Sequence, residues 1–258
     1  MPDPASVSDA GRPDLTLLTG PDGADPAMDL ALGPALLSHA AAGGGSFLRI
    51  YQPQPTVALT GRDRLSPAIS SAVESARRHG FTPVRRASGG RAAAYTAQAI
   101  CIDHVEIAEG EFGNIKERFY RFGLLLAGAL QNLGVDARVG EVPGEYCPGE
   151  YSVNGEGRIK LIGTAQRLVR HGWMVSSVIV VSDTAAVRGV LTDVYRDLAL
   201  DWNPSTAGSV TDLAPAMDRA EVLSSVLAAY EREYVLVPGE WPESVLAEAR
   251  RRAPDHRV

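Results

Sequence analysis

The run Arg85-Arg86-Ala87-Ser88-Gly89-Gly90-Arg91-Ala92-Ala93-Ala94 constrains this chain more than any other stretch. A strand-like segment, residues 81–86, leads into it, and two adjacent glycines follow the serine. Glycine takes φ > 0 at little steric cost and lets the backbone approach a ligand closely. Successive N–H groups in such a turn can form an anion-binding concavity. Arg86 and Ser88 are two residues apart, so an extended backbone puts them on one face. A guanidinium and a hydroxyl beside a glycine turn suit a carboxylate, a phosphate or a thioester-bearing substrate. The same residues also fit a tight turn with a solvated arginine pair.

The length of 258 residues allows one large domain or two small ones. An apolar content of 45% is enough to build a core. The formal net charge is −6, which argues against a general nucleic-acid binder. The two cysteines, Cys101 and Cys147, are too few for a disulfide framework or a four-cysteine zinc site, and no metal site is expected. The first residues lack the basic start and apolar core of a signal peptide. No apolar run reaches the length of a membrane span. A cytoplasmic protein with no membrane association is the expectation.

Residues 1–13, rich in Pro, Asp, Ser and Gly, read as a disordered tail. A strand at 15–18 precedes a helix that Asp25-Pro26 opens and the glycine run at 43–45 stops. That run lacks the Gly-Lys-Ser/Thr ending of a P-loop. Strands are expected at 47–51 and 56–60, and a helix from Ser66-Pro67 to His79-Gly80. A strand at 98–105 places Cys101 and Asp103 on one face and His104 on the other, so these three do not form a catalytic set. Cys101 reads as a small core residue. The longest helix, 114–133, carries Phe119, Phe122, Leu125, Leu126, Ala129 and Leu133 in one stripe. A strand at 135–139 follows.

Cys147 stands in the middle of an irregular loop, residues 141–150, where function tends to reside. Next comes a hairpin expected to turn at Asn154-Gly155. Lys160 lies in its second strand among Ile159, Leu161 and Ile162, and such a lysine often snorkels outward. Gly163 and Ala165 are small enough for close approach by a ligand or another backbone. Residues 173–181 complete the sheet, and helices are expected at 184–200, 216–234 and 241–252.

Two stretches resemble a known family. Arg85-Arg86-Ala87-Ser88-Gly89-Gly90 is similar to the Arg-Arg-x-Ser-Gly-Gly-Gly signature of the lipoate–protein ligases and octanoyltransferases. Lys160-Leu-Ile-Gly163-Thr164-Ala165-Gln166 is similar to their Lys-x-x-Gly-x-Ala-Gln signature. The resemblance implies an α+β fold, the biotin/lipoate ligase catalytic domain, with a mixed β-sheet flanked by helices. It would occupy residues 14–183, followed by a helical C-terminal extension at 184–258 packed on it. The implied activity is transfer of an octanoyl or lipoyl group to a lysine of a lipoyl carrier domain. Arg86, Ser88, Gly89 and Gly90 would line the acyl or acyl-adenylate pocket. Lys160 would reach the carbonyl or phosphate at the reacting centre, and Gly163, Thr164 and Ala165 would lie beside it.

Three positions depart from the family pattern. Arg91 replaces the third glycine, Tyr95 a usual histidine, and Val175-Ser176-Ser177 a His-Gly-Ser run. Arg91 could supply a second cation for a phosphopantetheine or nucleotide phosphate, or be a surface substitution. Some transferases of this kind hold a cysteine nucleophile ahead of the second signature, where Cys147 lies. Three readings therefore stand. A cysteine transferase needs no cofactor and takes its octanoyl or lipoyl group from a carrier such as acyl carrier protein. A ligase uses ATP and Mg. A non-catalytic protein only binds an acyl carrier or lipoylated domain.

Overall fold

The computed structural model describes residues 11–20, 25–108 and 114–258. Most of the tail expected at 1–13 lies outside them. Among the described residues, the main sheet has eight strands: β1 (Asp14–Thr19), β2 (Phe47–Tyr51), β6 (Ile100–Ile107), β7 (Ala137–Val139), β8 (Val153–Gly155), β9 (Ile159–Val169), β10 (Gly172–Ile179) and β11 (Val235–Pro238). Their spatial order is β11-β1-β2-β6-β10-β9-β8-β7. β1 pairs in parallel with β11 and β2, and the remaining pairs are antiparallel. A second sheet has the order β4-β3-β5, from β3 (Thr56–Leu59), β4 (Thr82–Arg85) and β5 (Ala93–Tyr95).

Among the described residues, six α-helices complete the fold: α1 (Pro26–His39), α2 (Ile69–Arg78), α3 (Ile115–Gln131), α4 (Thr184–Asp197), α5 (Arg219–Glu231) and α6 (Glu243–Arg252). Local chemistry accounts for the starts of α1, α3 and α5. Asp25 accepts a hydrogen bond from the Ala27 N–H, with Pro26 preset for the first turn of α1. Asn114 caps α3 through the Glu117 N–H, and Asp218 and Glu221 form a reciprocal capping box on α5.

β6 is buried on both faces. Asp103 and Val105 look toward α1, and Cys101 on the same face packs with Tyr51, Ala58 and Tyr95, whereas Ile100, Ile102 and His104 look toward α3 and α5. His104 is enclosed by Phe122, Trp173, Tyr230 and Tyr234, with its Nε2 2.7 Å from Glu106 Oε1. Burial pushes this imidazole below its ordinary value, against the pull of Glu106. The alternation expected for this strand therefore holds, and His104 is a core residue. A third cluster joins the small sheet to α2 and α4. No helix among the described residues is long and apolar enough to cross a membrane.

Three local expectations differ from what is observed. The hairpin turns at Glu156-Gly157, with φ of 55° and 69°, and not at Asn154-Gly155. Asn154 and Gly155 are held in β8 because they pair with Arg138 and Ala137 of β7, and a long-range ladder outweighs a turn preference. The segment after residue 184 is not all helical: Val235–Pro238 forms β11 on the edge of the main sheet beside β1. Its Val-Leu-Val run is short, and only the waiting edge of β1 makes it a strand. β5, whose Ala-Ala-Tyr sequence carries little strand signal, was not expected and forms by pairing with β3.

Candidate active site

Both signature segments and the cysteine loop meet at one cavity of about 520 Å³. Each is held from both ends. Residues 86–92 link β4 to β5, and these strands flank β3, so the small sheet clamps the glycine turn on either side. Residues 140–152 link β7 to β8, which pair antiparallel. Lys160 starts the second signature on β9. β8 pairs with β9 only through Ile159–Ile162, so Gly163, Thr164 and Ala165 lie beyond it, paired to β10 on one side and lining the cavity.

Cys147 is the junction. Its sulfur accepts hydrogen bonds from Arg86 Nη2 at 3.2 Å and from the Arg91 backbone N–H at 3.3 Å. Its own N–H donates to the Tyr195 hydroxyl at 2.7 Å, and that hydroxyl donates to the Ala92 carbonyl at 2.9 Å. Tyr195, from α4, thus ties the cysteine loop to the end of the glycine turn. The Cys147 backbone has φ of 43°, a left-handed conformation that a non-glycine residue adopts at a cost. Burial alone would raise the thiol. The Arg86 guanidinium, the Lys160 ammonium and the Arg91 N–H outweigh it, and the thiol lies below its ordinary value. Cys101 lines the same cavity, but burial pushes its thiol far up and makes it inert.

Lys160 is buried, with 3% of its side chain exposed, and does not snorkel. Its ammonium donates to Glu145 Oε1 at 2.9 Å, to the Tyr146 carbonyl at 3.1 Å and to the Cys147 carbonyl at 2.8 Å. All three of its protons are committed to the cysteine loop. Glu145 in turn accepts from the Val142 and Gly149 N–H groups, both at 3.1 Å, and from the Ser152 hydroxyl at 2.6 Å. Neither Glu145 nor Tyr195 stood out in the sequence. A buried glutamate two residues before a cysteine and fifteen before a lysine carries no local signal.

Of the two glycines, Gly90 is the constrained one. Its φ is +101°, and a Cβ there would lie 2.7 Å from both Arg86 Nη2 and Cys147 Sγ, whereas a Cβ on Gly89 meets nothing within 4 Å. Gly90→Ala is expected to lose about 1–2 kcal/mol from the left-handed backbone alone, and to push Arg86 off the thiol. Gly89→Ala should melt like the parent. Thermal unfolding of the two variants checks the contrast, and equal melting temperatures would remove the special role of Gly90.

Ser88 and Arg86 line the cavity. Arg91 does not: its guanidinium lies 3.5 Å from the buried Asp63 carboxylate, and only its backbone N–H reaches the site. Tyr95 lines the cavity, as do Ser176 and Ser177, with Ser177 Oγ 3.0 Å from Thr164 Oγ1. Val175 points to the other side of β10, into the core with Phe122 and Trp173. Gln166 of the second signature binds α3, donating to the Ile115 carbonyl at 2.9 Å. Among the described residues, no group of three or more His, Cys, Asp or Glu side chains is placed to hold a metal ion.

The Arg86 contact has a pH consequence. Because Arg86 helps hold the thiol down, Arg86→Met should shift the midpoint of the thiolate-dependent alkylation rate of Cys147 to higher pH. At neutral pH the variant should then react more slowly with iodoacetamide. An unchanged midpoint would mean that Arg86 does not set the thiol's ionisation.

Comparison with known proteins agrees with this architecture. The model for the lipoyl protein ligase A/B catalytic domain matches residues 25–231. An octanoyl-[GcvH]:protein N-octanoyltransferase of Geobacillus kaustophilus is 29% identical over 67% of this chain and 62% of its own length. A lipoyl-[GcvH]:protein N-lipoyltransferase of Listeria monocytogenes is 25% identical over 65% of this chain and 64% of its own. The chain thus spans about three fifths of the length of these curated relatives. Among solved structures, a bipartite lipoate protein ligase from Thermoplasma acidophilum superposes with a TM-score of 0.73. It is 18% identical and covers 94% of this chain and 92% of that one. Lipoate-protein ligase A bound with ATP superposes with a TM-score of 0.74 at 18% identity, covering 94% of each chain. With the two signatures on one cavity and four fifths of the chain matched, this protein belongs to the lipoyl protein ligase A/B catalytic domain family.

Proposed function

We propose that this protein transfers an octanoyl or lipoyl group from a carrier-bound donor to a lysine of a lipoyl carrier domain, through a thioester on Cys147. The observation that carries the reading is the Cys147 sulfur itself, on the wall of an acyl-sized cavity and held by Arg86 and the Arg91 N–H. A thiol held below its ordinary value carries more thiolate at a given pH than a free cysteine, and so leans less on a general base. The thiolate adds to the carbonyl of the donor acyl group. A new C–S bond forms, the bond to the donor breaks, and the donor leaves with the electron pair and takes a proton from solvent. The acceptor lysine amine then attacks the Cys147 thioester. A C–N bond forms, the C–S bond breaks, the amine proton passes to solvent, and thiolate is regenerated beside Arg86. Arg86 touches the reacting sulfur; Lys160 and Glu145 position its loop. The two relatives named above are named for octanoyl-GcvH and lipoyl-GcvH donors, and a carrier of that kind is the donor we assign, ahead of acyl carrier protein.

The cations of the site also favour this route over an ATP-dependent ligase. A ligase needs free positive charge for the phosphates of an acyl-adenylate. Here Arg86 is bound to the thiol and to the Arg91 carbonyl, Arg91 to Asp63, and Lys160 to Glu145 and the loop. Intact-mass measurement tests the reading. The protein is mixed with an octanoyl-GcvH donor, without ATP and without acceptor, and then given a lipoyl domain. The expected result is an octanoyl adduct on the protein that moves to the domain. Octanoylation of the domain only from free octanoate, ATP and Mg would establish the ligase instead, and no adduct or product from either donor would leave a binding protein.

A further inference from the structure

The cavity reaches round an edge of the main sheet. Gln166 bonds α3, and Thr164, two residues away on β9, shares that face. Gly163 and Ala165 take the opposite face, together with Ser176, whose hydroxyl donates to Asp103 Oδ1 at 2.6 Å. Residues of both faces line the one cavity. A single cavity meets both faces of a sheet where a strand edge lies uncovered, and β9 has such an edge beyond Ile162, where its pairing with β8 stops. The ladder tells which groups that edge offers. Leu161 stands opposite Val180, and its carbonyl accepts the Val180 N–H at 2.9 Å. Hydrogen-bonded and non-hydrogen-bonded pairs alternate along an antiparallel ladder. Gly163, Ala165 and Arg167 therefore bond β10, whereas Thr164, Gln166 and Leu168 turn their N–H and C=O groups outward. Among the described residues, no hydrogen bond reaches those outward groups. The adjacent side chains do not cap them. Gln166 is committed to the Ile115 carbonyl and to Arg118 Nη1, each at 2.9 Å, and Arg167 to the Ala87 carbonyl at 2.9 Å.

This row of outward groups spans about 13 Å at the rise of a strand. Its inner end adjoins the nucleophile: a Cβ on Gly163 would lie 3.9 Å from Lys160 Nζ, which donates to the Cys147 carbonyl at 2.8 Å. Its outer end, Leu168, does not line the cavity. Donors and acceptors repeated at every second residue, running from the cavity to beyond it, suit a peptide backbone and exceed what an acyl chain could use. An open edge strand is a template for another strand. We propose, building on the acyl-transfer reading, that the edge of β9 at Thr164, Gln166 and Leu168 is the docking strand for the carrier. The extended segment that bears the acyl-lysine adds beside β9, and its lysine arm turns in toward Cys147. Main-chain pairing of this kind supplies affinity and register. One edge then serves the donor carrier and the acceptor carrier in turn.

Amide hydrogen exchange of the full chain, read residue by residue by NMR, is the test. Thr164, Gln166 and Leu168 should exchange fast in the free protein, and saturating octanoyl-GcvH should slow each of them about 10-fold, the scale of one backbone hydrogen bond. Nα-acetyl-Nε-octanoyl-lysine amide fills the cavity alone and should leave Leu168 unchanged. Unchanged exchange at all three with octanoyl-GcvH overturns the inference, as does protection of Leu168 by the small amide. Protection that grows with protein concentration in the absence of carrier gives the edge to a second copy of this chain and overturns it too. Leu168→Pro removes one outward N–H and keeps the ladder to β10, so KM for octanoyl-GcvH should rise about 10-fold. An unmoved KM in the folded variant removes this edge from docking, and the exchange measurement on the parent decides the matter if the variant does not fold. Octanoyl loading of Cys147 at full rate, with the three amides still exchanging freely, sinks this inference alone. Protection of the edge without any loading leaves it standing and sinks the transfer reading.

Discussion

Cys147→Ala should lower octanoyl transfer by roughly 10⁴-fold or more, the scale seen when a covalent nucleophile is removed. The thiol is the one group of the site whose loss leaves no atom to carry the acyl group. The variant should fold normally. Its backbone anchors, the Tyr195 hydroxyl on its N–H and Lys160 on its carbonyl, do not involve the sulfur. Removing a half-buried thiol is expected to cost about 1 kcal/mol or less. Cys101→Ala supplies the control, because that thiol faces the same cavity but is held protonated by burial. Initial rates on a lipoyl domain, with circular dichroism melting of each variant, make the measurement. If Cys147→Ala transfers at the parental rate, no covalent intermediate forms on it.

Lys160→Met should be the most destabilising single change at the site. Its partner Glu145 has 0% of its side chain exposed, and without the ammonium this carboxylate keeps three neutral donors but no countercharge. Breaking one side of a buried ion pair costs about 3–5 kcal/mol. For a chain of this size that corresponds to a fall in melting temperature of about 10 °C. Glu145→Gln in the same chain removes the stranded charge, so the double variant should regain part of the loss. Transfer should fall ~100-fold in Lys160→Met, the scale for misplacing a reacting group by about 1 Å, and the alkylation midpoint of Cys147 should rise, since Lys160 helps to hold that thiol down. A double-mutant cycle on melting gives the coupling directly. Strictly additive effects would show that the pair does not hold the loop, and an unmoved alkylation midpoint would separate Lys160 from the thiol.

Much of the frame was legible because it depends on short-range rules. The start of α1 at Asp25-Pro26 follows from capping chemistry, and the stripe of α3 and the alternation along β6 follow from helix and strand periods. That alternation separated Cys101 and Asp103 from His104 correctly. The failures, at the Glu156-Gly157 turn and at β5 and β11, share one cause: each is decided by a partner strand distant in sequence.

The same division runs through the site. By itself the sequence determined which residue types were available: a glycine pair behind an arginine, a lysine in an apolar strand, one cysteine on an irregular loop. The two signatures were enough to identify the family. Only the tertiary structure brought Cys147 onto Arg86, 61 residues away in the chain, and chose Gly90 over Gly89 as the glycine that must lack a side chain. It turned Arg91 onto Asp63 and spent the protons of Lys160 on the cysteine loop. A strand period tells which face a side chain takes. Which charges and donors it meets there depends on segments that come together only when the sheets close, and those neighbours set the ionisation of Cys147.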